Sequence, residues 1–237
     1  MSATGVILQA RMGSTRLPGK VLAKIGRRTL LEHCVRRLES SGFPVVVATT
    51  ALGEDDMVER AARALGAEVY RGPVDDVLSR FIGAATTFGF AEIIRATADN
   101  PFVDMGAARR ASTARQRGAA DHAIECGLPI GAAVEAVSLD ALVRARDLVT
   151  DPYDREHVTS LVRRDTRFRA LRAVAPGLLR RGGLRLTVDT TDDLAVAREI
   201  HTELGRGDDL VELADIIQAA ETVLIRGFAF RGTRKGA

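Results

Sequence analysis

The chain has 237 residues, enough for one large domain or two small ones with a sizeable buried core. Its 46% hydrophobic and 27% charged residues are typical of a globular protein in water. A net charge of +3 and the lack of tryptophan argue against a nucleic-acid partner. No signal-peptide pattern and no apolar run of membrane-spanning length is present, so we expect a cytoplasmic location and no membrane partner.

The first half of the sequence alternates apolar, β-branched runs with segments of helical periodicity. The predicted strands are 5–8, 45–50, 68–71 and 90–98, and the predicted helices are 29–38, 55–65, 77–88 and 105–116. This alternation predicts a parallel sheet with crossover helices.

The second half is less regular. The predicted strands are 120–125, 132–137, 168–174 and 184–188, and the predicted helices are 139–148, 154–162, 192–204 and 210–224. No internal repeat or low-complexity linker separates the halves. We therefore expect a single domain over 1–237, with an inserted subregion at about 120–175.

The loop after the first predicted strand is rich in cations and small residues. It reads QARMGSTRLPGK from Gln9 to Lys20, and Arg11, Arg16 and Lys20 alternate with glycine, serine and threonine. Ligands of open α/β sheets bind at the carboxyl ends of strands, and backbone N–H groups beside full cations suit an anion. A polyphosphate site is therefore favoured over a solvated basic loop, which the same residue types would also produce.

Two predicted strands lead into an aspartate. Asp99 follows the strand that ends near Ala98, and Asp189 follows the strand 184–188. Mg²⁺ takes one or two carboxylates together with phosphate oxygens and water. Asp99 could equally cap a helix, because Asp-Asn-Pro often begins one. Capping explains Asp189 less well, since Thr191 and Asp192 are better placed to cap the next helix.

Three other polar groups leave their roles open. The run DREHVT, residues 154–159, is either a solvated helix start or a ligand-facing segment in which His157 donates a hydrogen bond or acts as a base. Glu135, within an apolar run, is either an inward acceptor for hydroxyl groups or a surface acid. Asp75 and Asp76 are most simply the cap of a helix. Cys34 and Cys126 are expected to be buried thiols, since their spacing indicates neither a disulfide framework nor a metal site.

The segment QARMGSTRLPGKVL, residues 9–22, resembles the nucleotide loop of the cytidylyltransferase family. That family includes the spore coat polysaccharide biosynthesis, acylneuraminate and 3-deoxy-manno-octulosonate cytidylyltransferases. The likeness to the spore coat branch continues in order through segments 47–50, 71–72, 76–80, 97–101, 154–159 and 187–193.

The resemblance implies an α/β nucleotidyltransferase fold, Rossmann-like and GT-A-like, in which a mixed and mostly parallel sheet lies between helices. It implies transfer of a nucleotidyl group, most often CMP from CTP, to a sugar, sugar-acid or phosphorylated acceptor, with release of pyrophosphate. It further implies Mg²⁺ as cofactor and a homodimer, and a role in acceptor binding or dimerisation for the subregion at about 120–175. The alternatives are a sugar-1-phosphate nucleotidyltransferase that uses another NTP, and a nucleotide-binding subunit without turnover.

Site residues follow from the matching motifs. The resemblance implies nucleotide binding by Gln9, Ala10, Arg11, Gly13, Ser14, Arg16, Lys20 and Thr97. Among these, Lys20, Arg11 and Arg16 would carry the catalytic charge stabilisation. Asp99 and Asp189 would hold Mg²⁺. The acceptor side would comprise Glu135, Arg155, Glu156 and His157.

The sequence departs from the family pattern near the acceptor residues. Ala132 and Ala133 stand where a Leu-Asp pair is usual, before the acid Glu135. The loss of that aspartate indicates an acceptor with fewer hydroxyl groups or a different charge. A Rossmann dehydrogenase is less well supported than a sugar-1-phosphate nucleotidyltransferase or a nucleotide-binding subunit, because no G-x-G-x-x-G follows the first strand.

Overall fold

The computed structural model describes residues 3–207 and 209–233, with side chains described up to residue 226. In chain order the strands of this part are β1 (Ala3–Gln9), β2 (Lys24–Ile25), β3 (Arg28–Thr29), β4 (Val45–Thr50), β5 (Glu68–Gly72), β6 (Phe90–Thr97), β7 (His122–Cys126), β8 (Glu135–Ser138) and β9 (Ala170–Val174). The helices are α1 (Leu30–Glu39), α2 (Asp56–Ala64), α3 (Val77–Phe88), α4 (Ala107–Arg117), α5 (Leu139–Leu148), α6 (Pro152–Glu156), α7 (Ser160–Arg164), α8 (Thr191–Leu204) and α9 (Leu213–Thr233).

One seven-stranded sheet carries the fold, in the order β5-β4-β1-β6-β8-β7-β9. Strands β5, β4, β1 and β6 are parallel neighbours, whereas β8 runs antiparallel to both β6 and β7. At the far edge β9 pairs parallel with β7. The predicted mixed and mostly parallel sheet is therefore confirmed, with the parallel strands on one side and the antiparallel strand on the other.

Two apolar cores cover the two faces of the sheet. Leu8 and Ile94 belong to one core, while their chain neighbours Ile7 and Ile93 belong to the other. Successive strand side chains point to opposite faces, so a sheet with helices on both faces needs uninterrupted apolar strands. The continuous apolar runs of the sequence have this origin.

The predicted helix 154–162 is wrong in one respect, because the chain breaks it into α6 and α7. Asp151 caps α6, and Pro152 occupies its first turn, where a missing N–H costs nothing. The break lies at Val158, whose φ of 53° is unusual for a β-branched residue. The next residue, Thr159, is fully buried and binds Glu135, and this contact compensates for the strain.

The predicted strand 184–188 is wrong, because this segment forms no ladder with the sheet. Its one bridge joins Arg185 to Ile130, which lies outside the strands. The predicted strand 132–137 starts later, at Glu135, because the chain first turns through Gly131. Whether the subregion near 120–175 serves acceptor binding or dimerisation stays a prediction. Within the described residues, the helices lack the combination of length and apolar character that crossing a bilayer requires.

Candidate active site

The cation-rich loop follows β1 at the carboxyl edge of the sheet, and a hydrogen bond to Asp55 holds it in place. The buried carboxylate of Asp55 accepts a hydrogen bond from the Met12 backbone N–H at 2.6 Å and another from that of Thr50 at 3.3 Å. Gly19 closes the loop, since its N–H binds the Met12 carbonyl at 2.9 Å and its φ is 69°. Sequence reasoning assigned residue 55 only to a helix start and missed this role.

The loop forms one wall of an open cleft of about 750 Å³, which falls within the size range of small-molecule sites. The other walls come from the end of β6, the turn before β8, the end of α6 and the segment before α8. The cleft brings together nearly all of the predicted site residues, namely Gln9, Ala10, Arg11, Gly13, Ser14, Arg16, Lys20, Thr97, Asp99, Glu135, Glu156, His157 and Asp189.

Lys20 lies at the centre of the phosphate end of the cleft. Its Nζ is 3.2 Å from Asp99 Oδ2 and 2.8 Å from Asp189 Oδ1, and it donates to the Val188 carbonyl at 3.1 Å. The two acids, 90 positions apart in the chain, therefore meet on one ammonium group. The backbone N–H of Val188 binds the Asp99 carbonyl at 2.8 Å and holds the two segments side by side.

Asp189 is surrounded by three cations. Besides Lys20, Arg16 approaches its Oδ1 at 3.0 Å and Arg185 its Oδ2 at 2.5 Å. Partial burial opposes ionisation of this carboxyl, but Lys20, Arg16 and Arg185 lower its pKa below the usual value. The loop before α8 is fixed by Asp193, which accepts from the Asp189 and Thr190 backbone N–H groups at 2.9 Å each.

The pair Asp99 and Asp189 suits a divalent cation that also binds a nucleotide. Both carboxylates already converge on one positive charge. Throughout the described residues, no cluster of three or more His, Cys, Asp or Glu side chains is arranged to hold a metal without help. Mg²⁺ needs only one or two carboxylates when phosphate oxygens supply further ligands, so the donor set fits. Asp99 and Asp189 stay predicted ligands.

Glu135 lies inside the cleft floor with its carboxylate fully engaged. It accepts hydrogen bonds from His122 Nε2 at 2.8 Å, Thr159 Oγ1 at 2.5 Å and Arg95 Nη1 at 2.9 Å. Burial raises its pKa, but the hydrogen bond from His122 and the charge of Arg95 outweigh burial and lower the pKa to about 2. Of the two readings left open by the sequence, Glu135 is the inward acid.

The remaining acceptor-side predictions separate. His157 lines the cleft, and its ring centroid lies 4.1 Å from that of Tyr153. Glu156 also lines the cleft, and its Oε1 lies 3.7 Å from Arg11 Nη2. Arg155 lies outside the cleft lining, because its Nη1 donates to Asp76 Oδ2 at 2.7 Å. The structure therefore places Arg155 apart from the other acceptor-side residues, and its role in acceptor binding stays a prediction.

Asp76, the partner of Arg155, is the helix cap that the sequence predicted. Its side chain accepts from the Ser79 backbone N–H at 2.8 Å at the start of α3. An ion pair between a helix cap and α6 ties the acceptor-side segment to the parallel half of the fold.

Sequence reasoning missed several residues of the cleft. Arg95 precedes Thr97 by two positions on β6, and this spacing places the two side chains on one face of the strand. Gly131 has a φ of 94°, and a Cβ there would lie 2.6 Å from Thr187 Oγ1 and 2.8 Å from Asn100 Oδ1. Only glycine fits this turn without displacing those two side chains.

The fold and cleft can now be compared with known proteins. The family model described as Cytidylyltransferase matches residues 5–216. The chain is 34% identical over 213 residues to the spore coat polysaccharide biosynthesis protein SpsF of Bacillus subtilis, covering 86% of this chain and 88% of that protein. It is 48% identical over 65 residues, 27% of this chain and 23% of the relative, to a 3-deoxy-manno-octulosonate cytidylyltransferase of Marinobacter nauticus.

A solved structure of a cytidylyltransferase from Leptospira borgpetersenii is similar over the whole fold. The TM-score is 0.84 and the sequence identity 29%, over 94% of this chain and 95% of that one. The family model alone spans most of the sequence. The chain belongs to the cytidylyltransferase family and is a nucleotidyltransferase.

Proposed function

We propose that this enzyme transfers the cytidylyl group of CTP to an oxygen of a sugar or sugar-acid acceptor and releases pyrophosphate. One observation carries the proposal: Lys20, Asp99 and Asp189 meet beside Arg11 and Arg16 in a single cleft large enough for a nucleotide and an acceptor. Membership of the family supports CTP as the donor.

The triphosphate binds over the loop from Gln9 to Lys20. Arg16 and Lys20 pair with Asp189. A triphosphate offers both cations more negative charge than one carboxylate, so part of their pairing moves to the phosphates. Positive charge fixed beside the α-phosphate stabilises the charge that builds up during in-line displacement, and this effect is the main catalytic contribution in phosphoryl chemistry.

The proposal includes Mg²⁺ on Asp99 and Asp189, because both acids border the position of the triphosphate. When bound there, the ion would neutralise phosphate oxygens and help align them. Asp99 would remain positioned by Thr97, whose hydroxyl donates to Asp99 Oδ1 at 2.7 Å. Asp189 would remain positioned by the loop that Asp193 fixes.

The acceptor binds at the other end of the cleft, beside Glu156 and His157. His157 is our candidate for the base that takes a proton from the acceptor hydroxyl, since a neutral imidazole can do so near pH 7. The name of the Marinobacter relative suggests 3-deoxy-manno-octulosonate, and that of the Bacillus relative suggests a precursor of a surface polysaccharide. A homodimer belongs to the same proposal.

The test measures pyrophosphate release by the purified protein with each of the four NTPs, with Mg²⁺ and with a chelator. The acceptor panel contains neutral sugars, sugar acids and sugar phosphates, including 3-deoxy-manno-octulosonate. We expect release with CTP only, and only with Mg²⁺. Release with another NTP and a sugar 1-phosphate would replace CTP in the proposal. Tight CTP binding without release for any acceptor would indicate a binding subunit.

A further inference from the structure

A row of paired residues extends the cleft floor away from the nucleotide loop. Arg95 on β6 pairs with Glu135 on β8, Glu135 pairs with Ile124 on β7, and Ile124 pairs with Arg172 on β9. Paired residues on neighbouring strands share a face of the sheet. Arg95, Glu135 and Ile124 all line the cleft, so its floor crosses from the parallel half into the mixed half.

Arg95 is a cation at this floor with hydrogen-bonding capacity to spare. Its Nη1 donates to Glu135 Oε1, and its side chain stays 17% exposed. Among the described residues, none accepts a hydrogen bond from its buried Nε. A guanidinium carries five N–H donors in a rigid fork, so the group can still bind an anion.

Glu135 holds this guanidinium in place and is not free for a ligand. Its second oxygen already accepts from His122 and Thr159. The depressed pKa of Glu135 means that the carboxylate keeps its charge at any working pH. A substrate hydroxyl would have to displace one of these bonds, whereas an anion at Arg95 displaces none.

Arg95 lies farther back along β6 than the acids that hold Lys20. It precedes Thr97, the last residue of β6, by two positions, which corresponds to roughly 7 Å at the rise of an extended strand, and Asp99 follows Thr97 in a turn. Lys20 and Arg16, the loop cations that pair with Asp189, are at the Asp99 end. A molecule whose reacting oxygen lies near Asp99 would therefore bring its opposite end to Arg95.

We propose that Arg95 determines acceptor specificity by binding a negatively charged group, a carboxylate or a phosphate, at the end of the acceptor remote from the reacting oxygen. Glu135 is the positioning residue for Arg95. This inference rests on the proposed function and identifies the acceptor as an anion. Ile130 and Ala133, which also line the cleft, carry no charge.

The test uses acceptor affinity in the presence of Mg²⁺ and a non-hydrolysable CTP analogue, by isothermal titration. The probes are matched pairs whose charge lies at the far end from the anomeric hydroxyl: glucuronate with its methyl ester, and glucose 6-phosphate with glucose. We expect the wild type to prefer one charged member by roughly 10- to 100-fold, as for hydrogen bonds to charged groups. Arg95→Ala should reduce this preference to about 2-fold or less, while Arg95→Lys retains part of it. The pair whose charged member binds more tightly shows whether the anionic group that Arg95 binds is a carboxylate or a phosphate.

Arg115→Ala is a matched control, because Arg115 also forms a largely buried ion pair with a glutamate of β6. Its side chain is 16% exposed and its Nε lies 2.8 Å from Glu92 Oε1, but it does not line the cleft. The control should keep the preference for charge, and all variants should keep the affinity of the wild type for the CTP analogue. The proposal is wrong if Arg95→Ala keeps the preference, if the wild type has none, or if CTP affinity falls as much as acceptor affinity.

Pyrophosphate release by the same proteins distinguishes a failure of the proposed function from a failure of the role assigned to Arg95. No release by the wild type with CTP contradicts the proposed function. Release together with an unchanged preference in Arg95→Ala contradicts only the role of Arg95. For Glu135, the double variant Arg95→Ala with Glu135→Gln should bind the acceptor no more weakly than Arg95→Ala alone. A further loss in the double variant would show that Glu135 contacts the acceptor directly.

Discussion

Two clusters of charge in the same cleft are built from similar interactions but differ in their access to water. In the first, the side chains of Lys20 and Asp189 are each 13% exposed, but the outer cation Arg16 is 63% exposed. In the second, around Glu135, the glutamate side chain is 8% exposed and its partner His122 only 1%. The difference indicates which charges can change partners and which cannot.

Exposed ion pairs contribute little stability and are easily exchanged for a ligand. A buried pair has already lost its hydration, so removing one member leaves the other without compensation. The first cluster is therefore suited to receive a polyphosphate, and the second to hold Arg95 and the turn at Thr159 in one geometry. Substitutions at exchangeable charges and at fixed charges should therefore have different effects.

The largest effect is expected on stability, from Glu135→Gln. The change leaves Arg95 buried beside a neutral side chain, so the free energy of unfolding should fall by about 3 to 5 kcal/mol. Urea denaturation at pH 7 measures it. Glu156→Gln is the control, because Glu156 is 57% exposed and should change stability by about 1 kcal/mol at most. Equal losses in the two variants would contradict the contrast between the clusters.

Lys20→Ala should act on catalysis instead. Removing the ammonium between Asp99 and Asp189 should lower kcat/KM for pyrophosphate release by about 100- to 1000-fold, as for loss of one charge-stabilising donor. The unfolding midpoint should move far less than in Glu135→Gln. Lys24→Ala provides the comparison, since Lys24 is exposed on β2. Wild-type rates in Lys20→Ala would remove this lysine from the mechanism.

The buried cluster should also have a characteristic pH dependence. The pKa of Glu135 is about 2 in the folded protein and lies below its ordinary value of 4.5. A carboxyl group whose pKa is lower in the folded than in the unfolded protein contributes its full stability above the unfolded-state pKa. This contribution is lost as the pH falls through the folded-state pKa. The stability difference between wild type and Glu135→Gln should therefore be complete above about pH 4.5 and narrow toward pH 2. A difference that stays constant between pH 7 and pH 3 would contradict the assigned titration.

The smallest effect is expected from Arg155→Ala. Arg155 pairs with Asp76 outside the cleft, at a partly exposed position. Its removal should cost about 1 kcal/mol or less of stability and leave kcat and the acceptor KM within about 2-fold of wild type. A large rise in acceptor KM alone would return Arg155 to the acceptor site, as the family motif first suggested.

The sequence by itself determined the parallel half and the meeting of its acids. Periodicity marked the strands and helices of the parallel half except the short β2 and β3, because a parallel sheet covered on both faces demands apolar runs separated by amphipathic helices. Asp99 follows the end of β6, and Asp189 follows an extended segment that a backbone hydrogen bond joins to Asp99. An acid at the end of each apolar run was enough to predict that the two acids converge. Only the structure showed that the second run is not a strand of the sheet.

In the mixed half, the sequence predicted most of the strands and helices, but only the tertiary structure decided their contacts. The pairing of Arg155 with Asp76 joins residues far apart in the sequence, and so do the hydrogen bonds of Glu135 with His122 and Thr159. Neither these contacts nor the helix break at Val158 follows from the periodicity of one segment. A side chain that ends in a buried carboxylate takes whichever donors the packed elements bring to it. Such contacts depend on how the helices and strands pack together, so the spacing of residues within one segment does not predict them.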